Sequence, residues 1–251
     1  MKYKYAIVRE PGMTYDSCLS DHPLKKYINI GQARSQHKIY CETLQELGLR
    51  IISLDREDKL PDACFVEDTV VIHKSRAFIT RIGAESRRGE ENEIIKVLKD
   101  RFNVGAASAP ATIDGGDVIH LEESLICGLS QRTNIDGAHQ MQTFLDVHVE
   151  TIPIPDFMHL KSHVTYLGKN TIAVSEKFSN IPQLKQFTKV IIPRSEAYAA
   201  NTLTINGVTI MPSKYPNAIE IVQDAGFKVK AIDVSEFTKC DGALTCLSIL
   251  F

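Results

Sequence analysis

The sequence predicts a five-module α/β propeller with pseudo-five-fold symmetry, built as one domain from residues 1–251. Three observations predict it. An apolar strand, a polar link, an amphipathic helix and a second apolar strand recur five times along the chain. A further short apolar strand lies between consecutive copies and should pair as a hairpin with the next one. No copy, at a few dozen residues, can bury its apolar face without a neighbour. Hairpins between helix-containing units are not a pure βαβ pattern, which ranks the ring above the doubly wound α/β sheet that the alternation also fits.

The first copy starts with Tyr5-Ala6-Ile7-Val8-Arg9. It continues through a helix from near Ser35 to Leu47, stops at Gly48 and resumes as Leu49 to Leu54. The second has Ala77 to Thr80, then Glu90 to Phe102 with Ile94, Ile95, Val97 and Leu98 at helical spacing. Ser124 to Gly128, a helix from Asn134 to Leu145 and Val149 to Pro153 make the third. Thr171 to Val174, a helix near Ile181 to Phe187 and Lys189 to Pro193 make the fourth. The fifth has Val208 to Pro212, a helix from Pro216 to Ala225 closed by Gly226, and Phe227 to Ile232. The intervening strands are Phe65 to Ile72, Asp117 to Leu121, Leu160 to Leu167, Asn201 to Ile205 and Leu244 to Leu250. The last has no following copy, so it should pair with the N-terminal strand and close the ring.

Composition narrows the function. With 29 Lys plus Arg against 31 Asp plus Glu, the net charge of -2 gives no electrostatic footprint for nucleic acid or an anionic membrane. The longest apolar runs, such as Val190-Ile191-Ile192, fall far short of the ~18 residues a membrane helix needs. Arg9 and Glu10 interrupt the N-terminal apolar stretch, so the expected compartment is the cytoplasm. There the six cysteines (Cys18, Cys41, Cys64, Cys127, Cys240, Cys246) are expected as reduced thiols. Their spacing contains no Cys-x-x-Cys pair, so no structural metal is expected. A small polar ligand or a protein partner remains.

The connecting strands carry polar residues at matched positions: Glu67-Asp68, Asp114 with Asp117, His159, Asn201 and Cys246. The intervals from 67 to 114, 159, 201 and 246 are about 47, 45, 42 and 45, so five-fold symmetry sets these residues at one level near one axis. A carboxylate, an imidazole, a thiol and an amide facing one cleft form a catalytic constellation. Taken alone, Cys246 on an apolar strand reads as a small hydrophobe and His159 as a structural histidine, with His163 an equal competitor. Together they read as nucleophile and acid/base. Asp114-Gly115-Gly116-Asp117 fits a turn, or a place where paired glycines admit close approach while the carboxylates face the cleft. Asp62, Glu67 and Asp68 gather at a strand entry, and Glu67-Asp68 inside an apolar run call for a cation. Arg87 and Arg132, each at a strand-to-helix link, are surface charges singly or a carboxylate clamp jointly.

These phrases also carry a resemblance. Leu60-Pro61-Asp62-Ala63-Cys64-Phe65-Val66-Glu67-Asp68, Ile79 to Glu90, Ile113 to Asp117, Gly128 to Asn134, His159-Leu160-Lys161-Ser162, Tyr198 to Asn201 and Asp241 to Ser248 follow in the order found in dimethylargininases. The chain resembles that family, of the guanidino-group-modifying superfamily, over essentially its whole length. The resemblance implies the pentein propeller and a cofactor-free, metal-free hydrolysis of a free methylated arginine to citrulline and an alkylamine. It implies Cys246 as nucleophile, His159 rather than His163 as acid/base, and Asp114 beside that histidine. It further implies Arg87 and Arg132 as the carboxylate clamp and Asp62 at the α-amino group. Phe65, Glu67 and Asp68 would be substrate-binding, Leu19 a lid residue, and Cys240 a backbone-carbonyl contact. Cys240 departs from the family's branched aliphatic residue, and Tyr15 to Ile30 keeps little of its lid sequence.

The implied partner is a small-molecule guanidino amino acid, with no nucleic acid and no membrane; the propeller edges leave room for a homodimer. The same chemistry on unmethylated arginine, of the arginine deiminase or dihydrolase type, is the alternative within enzymes. A non-catalytic arginine binder would keep Arg87, Arg132 and Asp62 without needing an ordered thiol. An acidic pocket suits cations better than the peptide oxyanion of a cysteine protease.

Overall fold

Alternation along the strands decides how the chain packs. In the computed structural model, which describes residues 2–251, the first strand β1 (Tyr5–Arg9) buries both faces. Ala6 and Val8 enter one apolar cluster and Ile7 enters another. Successive side chains on a strand point to opposite faces, so one strand joins two cores. The same division recurs downstream. Phe78 parts from Ala77 and Ile79, Ile126 from Leu125 and Cys127, Ala173 from Ile172 and Val174, and Ile210 from Met211.

These strands are the centres of five three-stranded sheets, each with one antiparallel and one parallel neighbour. β1 pairs in parallel with β2 (Arg50–Leu54) across helix α1 (Ile30–Glu46), which Asn29 caps by accepting from Gln32 N–H at 3.0 Å. The second sheet holds β3 (Val70–His73), β4 (Arg76–Ile79) and β5 (Asn103–Ala106), with α2 (Asn92–Leu98) on the crossover. The third holds β6 (Val118–His120), β7 (Ser124–Leu129) and β8 (His148–Pro153), with α3 (Ile135–Leu145). β9 (Val164–Gly168), β10 (Thr171–Ser175) and β11 (Thr188–Ile192) form the fourth. β12 (Leu203–Ile205), β13 (Val208–Pro212) and β14 (Lys228–Ile232) form the fifth, with α4 (Pro216–Asp224), and the short α5 (Ser235–Thr238) follows.

The ring closes as the pattern requires: β15 (Ile249–Leu250) runs antiparallel to β1, with Ala6 opposite Leu250 and Ile7 opposite Ile249. Each of the five apolar clusters draws on two consecutive modules. One, with Ala6, Val8, Leu203, Ile210 and Leu244, joins the fifth module to the first. Among the described residues no helix is long and apolar enough to cross a membrane.

Two expectations are corrected. The fourth crossover has no α-helix; 3-10 turns at Glu176–Phe178 and Pro182–Leu184 replace it. Pro182 offers no N–H to a helix that would pass through it, and Phe178, Leu184 and Phe187 still bury their side chains. The connecting segments are also not strands throughout. Each opens with a 3-10 turn, at Val66–Thr69, Gly115–Asp117, Leu160–Ser162, Arg194–Ala200 and Thr245–Leu247, before the strand begins. The polar residues expected on strands lie on or beside these turns, which meet around the axis.

Candidate active site

His159 directly precedes the Leu160–Ser162 turn and is 9% exposed. Its Nε2 lies 3.0 Å from Asp114 Oδ2 and 3.8 Å from Asp68 Oδ1. Burial pulls the imidazole down, but Asp68, the hydrogen bond to Asp114 and the charge of Asp117 together push it up to about 9. At neutral pH it is therefore an imidazolium donating to Asp114. The glycines beside Asp114 are required by close approach: a Cβ on Gly115 would strike the Glu67 carbonyl and one on Gly116 the His159 ring.

Asp114 is fully buried, and its second oxygen accepts from Gly83 N–H at 2.7 Å. Asp68 accepts from Gly116 N–H at 2.9 Å and from Arg87 Nη1 at 2.7 Å. Burial raises its pKa, but His159 and Arg87 overcome that and hold it down at about 2. Cys246 sits half-buried in the Thr245–Leu247 turn. Burial, reinforced by Glu67 and Asp68, pushes its thiol up to about 12. The site thus pairs a neutral thiol with a charged imidazole.

Asp68, Asp114 and His159 hold ligating atoms within 4.8 Å of one another, a spacing a metal ion can use. Here His159 Nε2 and Asp114 Oδ2 already share a hydrogen bond and Asp68 is paired with Arg87, so the three side chains are engaged without an ion. The competitor His163 is elsewhere, stacked on Phe178 at 4.3 Å and paired with Ser175 Oγ. Asn201 bridges turns, donating to Lys161 O and Thr245 Oγ1.

Arg87 is more committed than its sequence position suggests. It is 6% exposed, with Nε and Nη2 on Glu90, Nη2 also on the Phe65 carbonyl, and Nη1 on Asp68. Of the five guanidinium N–H groups, one on Nη1 is left. Arg132 is only half-buried and, with Arg87, bears electrostatically on Asp62. Asp62 is buried and accepts from Leu19 N–H at 3.1 and 3.2 Å; burial raises its pKa against the pull of Arg87. Phe65 packs edge-on to Tyr15 and Phe237.

Glu67 parts from its neighbour. Its carboxylate accepts from Lys161 Nζ at 2.5 Å and Thr245 Oγ1 at 2.8 Å. It lines an axial cavity of about 800 Å³ that none of Asp68, Arg87, Asp114, His159 or Cys246 borders. Consecutive residues of the Val66–Thr69 turn diverge, Asp68 toward Arg87 and His159 and Glu67 toward Lys161 and Thr245, while both carboxylates still bear on Cys246.

The expectation of six reduced thiols is also corrected. Cys18 and Cys240, both buried, form a disulfide with Cα atoms 6.1 Å apart, leaving Cys41, Cys64, Cys127 and Cys246 free. The two cysteines are 222 residues apart and meet only because the ring closes. The bridge fastens the segment carrying Leu19 to the stretch leading into Cys246.

Sequence reasoning assigned no role to Glu90 or Lys161. Glu90 is 1% exposed and burial pushes it up to about 7 against Arg87; its position three residues after Arg87 was the available signal. Lys161 follows His159 by two residues, which sets it on the far side of the turn.

A ring of five such modules around an acidic, thiol-bearing axis defines the pentein class. Solved structures place the chain within it. A serine variant of the Pseudomonas aeruginosa enzyme DDAH, complexed with citrulline, has a TM-score of 0.96 and 33% identity, covering 100% of both chains. The N-terminal domain of ArgZ, an arginine dihydrolase, shares the fold at a TM-score of 0.86 and 21% identity, covering 100% of this chain and 97% of that one. A family model described as N,N dimethylarginine dimethylhydrolase, eukaryotic, matches residues 14–238. The N(G),N(G)-dimethylarginine dimethylaminohydrolase of Pseudomonas aeruginosa is 35% identical over 255 residues, covering 99% of this chain and 100% of that one. Its Streptomyces coelicolor counterpart is 33% identical over 254 residues, covering 99% and 97%. The chain belongs to the dimethylarginine dimethylaminohydrolase family.

Proposed function

We propose that this protein hydrolyses Nω,Nω-dimethyl-L-arginine to L-citrulline and dimethylamine, within a single catalytic domain of residues 1–251. The observation that carries the proposal is the buried His159 between Asp68 and Asp114, with Asp68 also bearing on the Cys246 thiol. A guanidinium is planar, resonance-stabilised and poorly electrophilic, so catalysis has to orient a sulfur over its carbon and hold the spreading charge.

A thiol near 12 and an imidazole near 9 are by themselves mismatched for nucleophilic attack. The burial and the carboxylates that raise the thiol also attract a cation, and a bound guanidinium beside the sulfur favours the thiolate. The Cys246 proton is released to solvent as the cation binds, and attack of the thiolate Sγ on the guanidinium carbon forms the S–C bond. Transfer of the His159 Nε2 proton to the methylated nitrogen lets the C–N bond break and dimethylamine leave, giving an S-alkylthiouronium. Neutral His159 then takes a proton from water, whose oxygen attacks the same carbon; C–S cleavage releases citrulline and restores the thiol. Asp62 contacts the α-amino group. Arg132, with the remaining Nη1–H of Arg87, contacts the carboxylate. Arg87 otherwise anchors Asp68.

A nucleophilic thiol has to stay reduced, which places the enzyme in the cytoplasm under this reading. The Cys18–Cys240 bridge, at 0% and 3% exposure, is shielded there from small thiols. A homodimer through a propeller edge belongs to the same reading, and sedimentation velocity tests it. Citrulline release by the purified protein tests the function, with arginine, monomethylarginine and dimethylarginine compared side by side. Dimethylarginine should turn over fastest and Cys246→Ser should abolish turnover; faster hydrolysis of arginine would point to a deiminase-type activity instead.

A further inference from the structure

Asp117 is fully buried and touches none of the groups assigned to the substrate, yet three parts of the site meet on its carboxylate. Oδ1 accepts from Leu160 N–H at 2.8 Å, fixing the turn that follows His159. Oδ2 accepts from Ser130 Oγ and Thr133 Oγ1, each at 2.6 Å. Ser130 Oγ in turn accepts from the N–H of Arg132 at 2.9 Å and of Thr133 at 3.2 Å, shaping the loop that presents Arg132. Thr133 Oγ1 accepts from Asp114 N–H at 3.1 Å, on the residue that holds His159. Gly128 packs under the carboxylate so closely that a Cβ there would meet Asp117 Oδ1, Leu160 and Ile154.

From this geometry we infer that Asp117 is a positioning residue that locks His159, Asp114 and Arg132 into one frame, coupling the acid/base to the carboxylate-binding arginine. The inference rests on the proposed roles of His159 and Arg132. Every donor aimed at Asp117 requires an acceptor, and every acceptor lone pair it uses is matched. An asparagine of the same shape cannot reproduce this. With its amide nitrogen toward Leu160, two N–H groups face each other; turned around, it faces Ser130 Oγ, whose lone pairs already serve Arg132 and Thr133, and leaves the hydroxyl hydrogens of Ser130 and Thr133 without the acceptor they have in Asp117. The charge matters separately. His159 faces Asp68 from the Val66–Thr69 turn and Asp114 and Asp117 from the Asp-Gly-Gly-Asp turn, with Arg87 behind Asp68, so Asp117→Asn removes one of three negative charges acting on the ring.

The test is Asp117→Asn, read by side-chain NMR titration of His159 alongside steady-state kinetics. A lost neighbouring charge should lower the His159 midpoint by about one pH unit. Misplaced groups should cost about tenfold to a hundredfold in kcat/KM, with KM raised as well as kcat lowered. Ser130→Ala, which cuts only the branch to Arg132, should raise KM more than it lowers kcat. Thr133→Val combined with Asp117→Asn should cost little more than Asp117→Asn alone, because both cut one network. If Asp117→Asn does not fold, Ser130→Ala carries the test, and an unchanged KM in it overturns the inference. A folded Asp117→Asn with an unmoved His159 titration and unchanged KM overturns the inference while leaving dimethylarginine hydrolysis standing. A protein that hydrolyses no guanidine overturns the proposed function, and the NMR titration still reports whether Asp117 governs His159.

Discussion

Replacing Arg87 by methionine removes the one cation that two buried carboxylates share. Glu90 loses contacts at 2.8, 3.0 and 3.3 Å, and Asp68 loses the 2.7 Å bond from Nη1 while keeping Gly116 N–H. Breaking a buried ion pair by deleting one partner costs about 3 to 5 kcal/mol. At about 2 to 4 °C per kcal/mol for a chain of this size, Tm should fall by roughly 6 to 20 °C. The pH dependence has a sign. Asp68 is held at about 2 in the fold against an ordinary value of 3.8, so its contribution is full above 3.8 and is lost as pH falls toward 2. Arg87→Met removes a main cause of that depression, so the variant should lose less further stability than the parent between pH 4 and 2. Thermal melts from pH 2 to 8 measure both effects, and adding Glu90→Gln should recover part of the lost Tm by removing one unpaired charge. A variant that melts within a degree or two of the parent, with only KM raised, would refute the reasoning and make Arg87 a freely available substrate clamp.

Lys161→Met should likewise destabilise the fold by about 3 to 5 kcal/mol, because Glu67 keeps only Thr245 in a buried setting; urea denaturation measures it, and Lys161→Met/Glu67→Gln should recover most of the loss. Gly116→Ala drives a methyl group into the His159 ring, so kcat should fall about tenfold to a hundredfold while far-UV dichroism stays unchanged. Peptide mapping without reductant should yield a linked Cys18–Cys240 pair, and Cys18→Ser should raise KM through a loosened Leu19 segment. An unlinked pair in protein purified with its thiols blocked would contradict the bridge.

The ring and its closure were legible because alternation is a local property. Each module writes its strands in two to six residues, and β1 falls on the five expected positions. The matched spacing likewise singled out Glu67, Asp114, His159, Asn201 and Cys246, each of which lies on or beside one of the turns that meet around the axis. What the pattern did not carry depends on contacts made across modules. The 3-10 turns arise where chains converge on the axis, and they give the adjacent Glu67 and Asp68 different partners, Lys161 and Thr245 for one and Arg87 and Gly116 for the other. Arg87 reads as an available cation until Asp68, Glu90 and the Phe65 carbonyl are brought around it. Cys18 and Cys240 carry no spacing signal at 222 residues apart. In the fourth crossover the helix expected near Ile181 to Phe187 gives way to a 3-10 turn at Pro182–Leu184, because Pro182 has no N–H for a helix that would pass through it.

The most direct test is to quench the protein in acid during turnover of dimethylarginine and map the modified peptide by mass. Attack at the ring axis places the substrate, less dimethylamine, on Cys246 and on none of Cys41, Cys64 or Cys127. Sustained citrulline formation with Cys246 unmodified, or with the adduct on another cysteine, would contradict it.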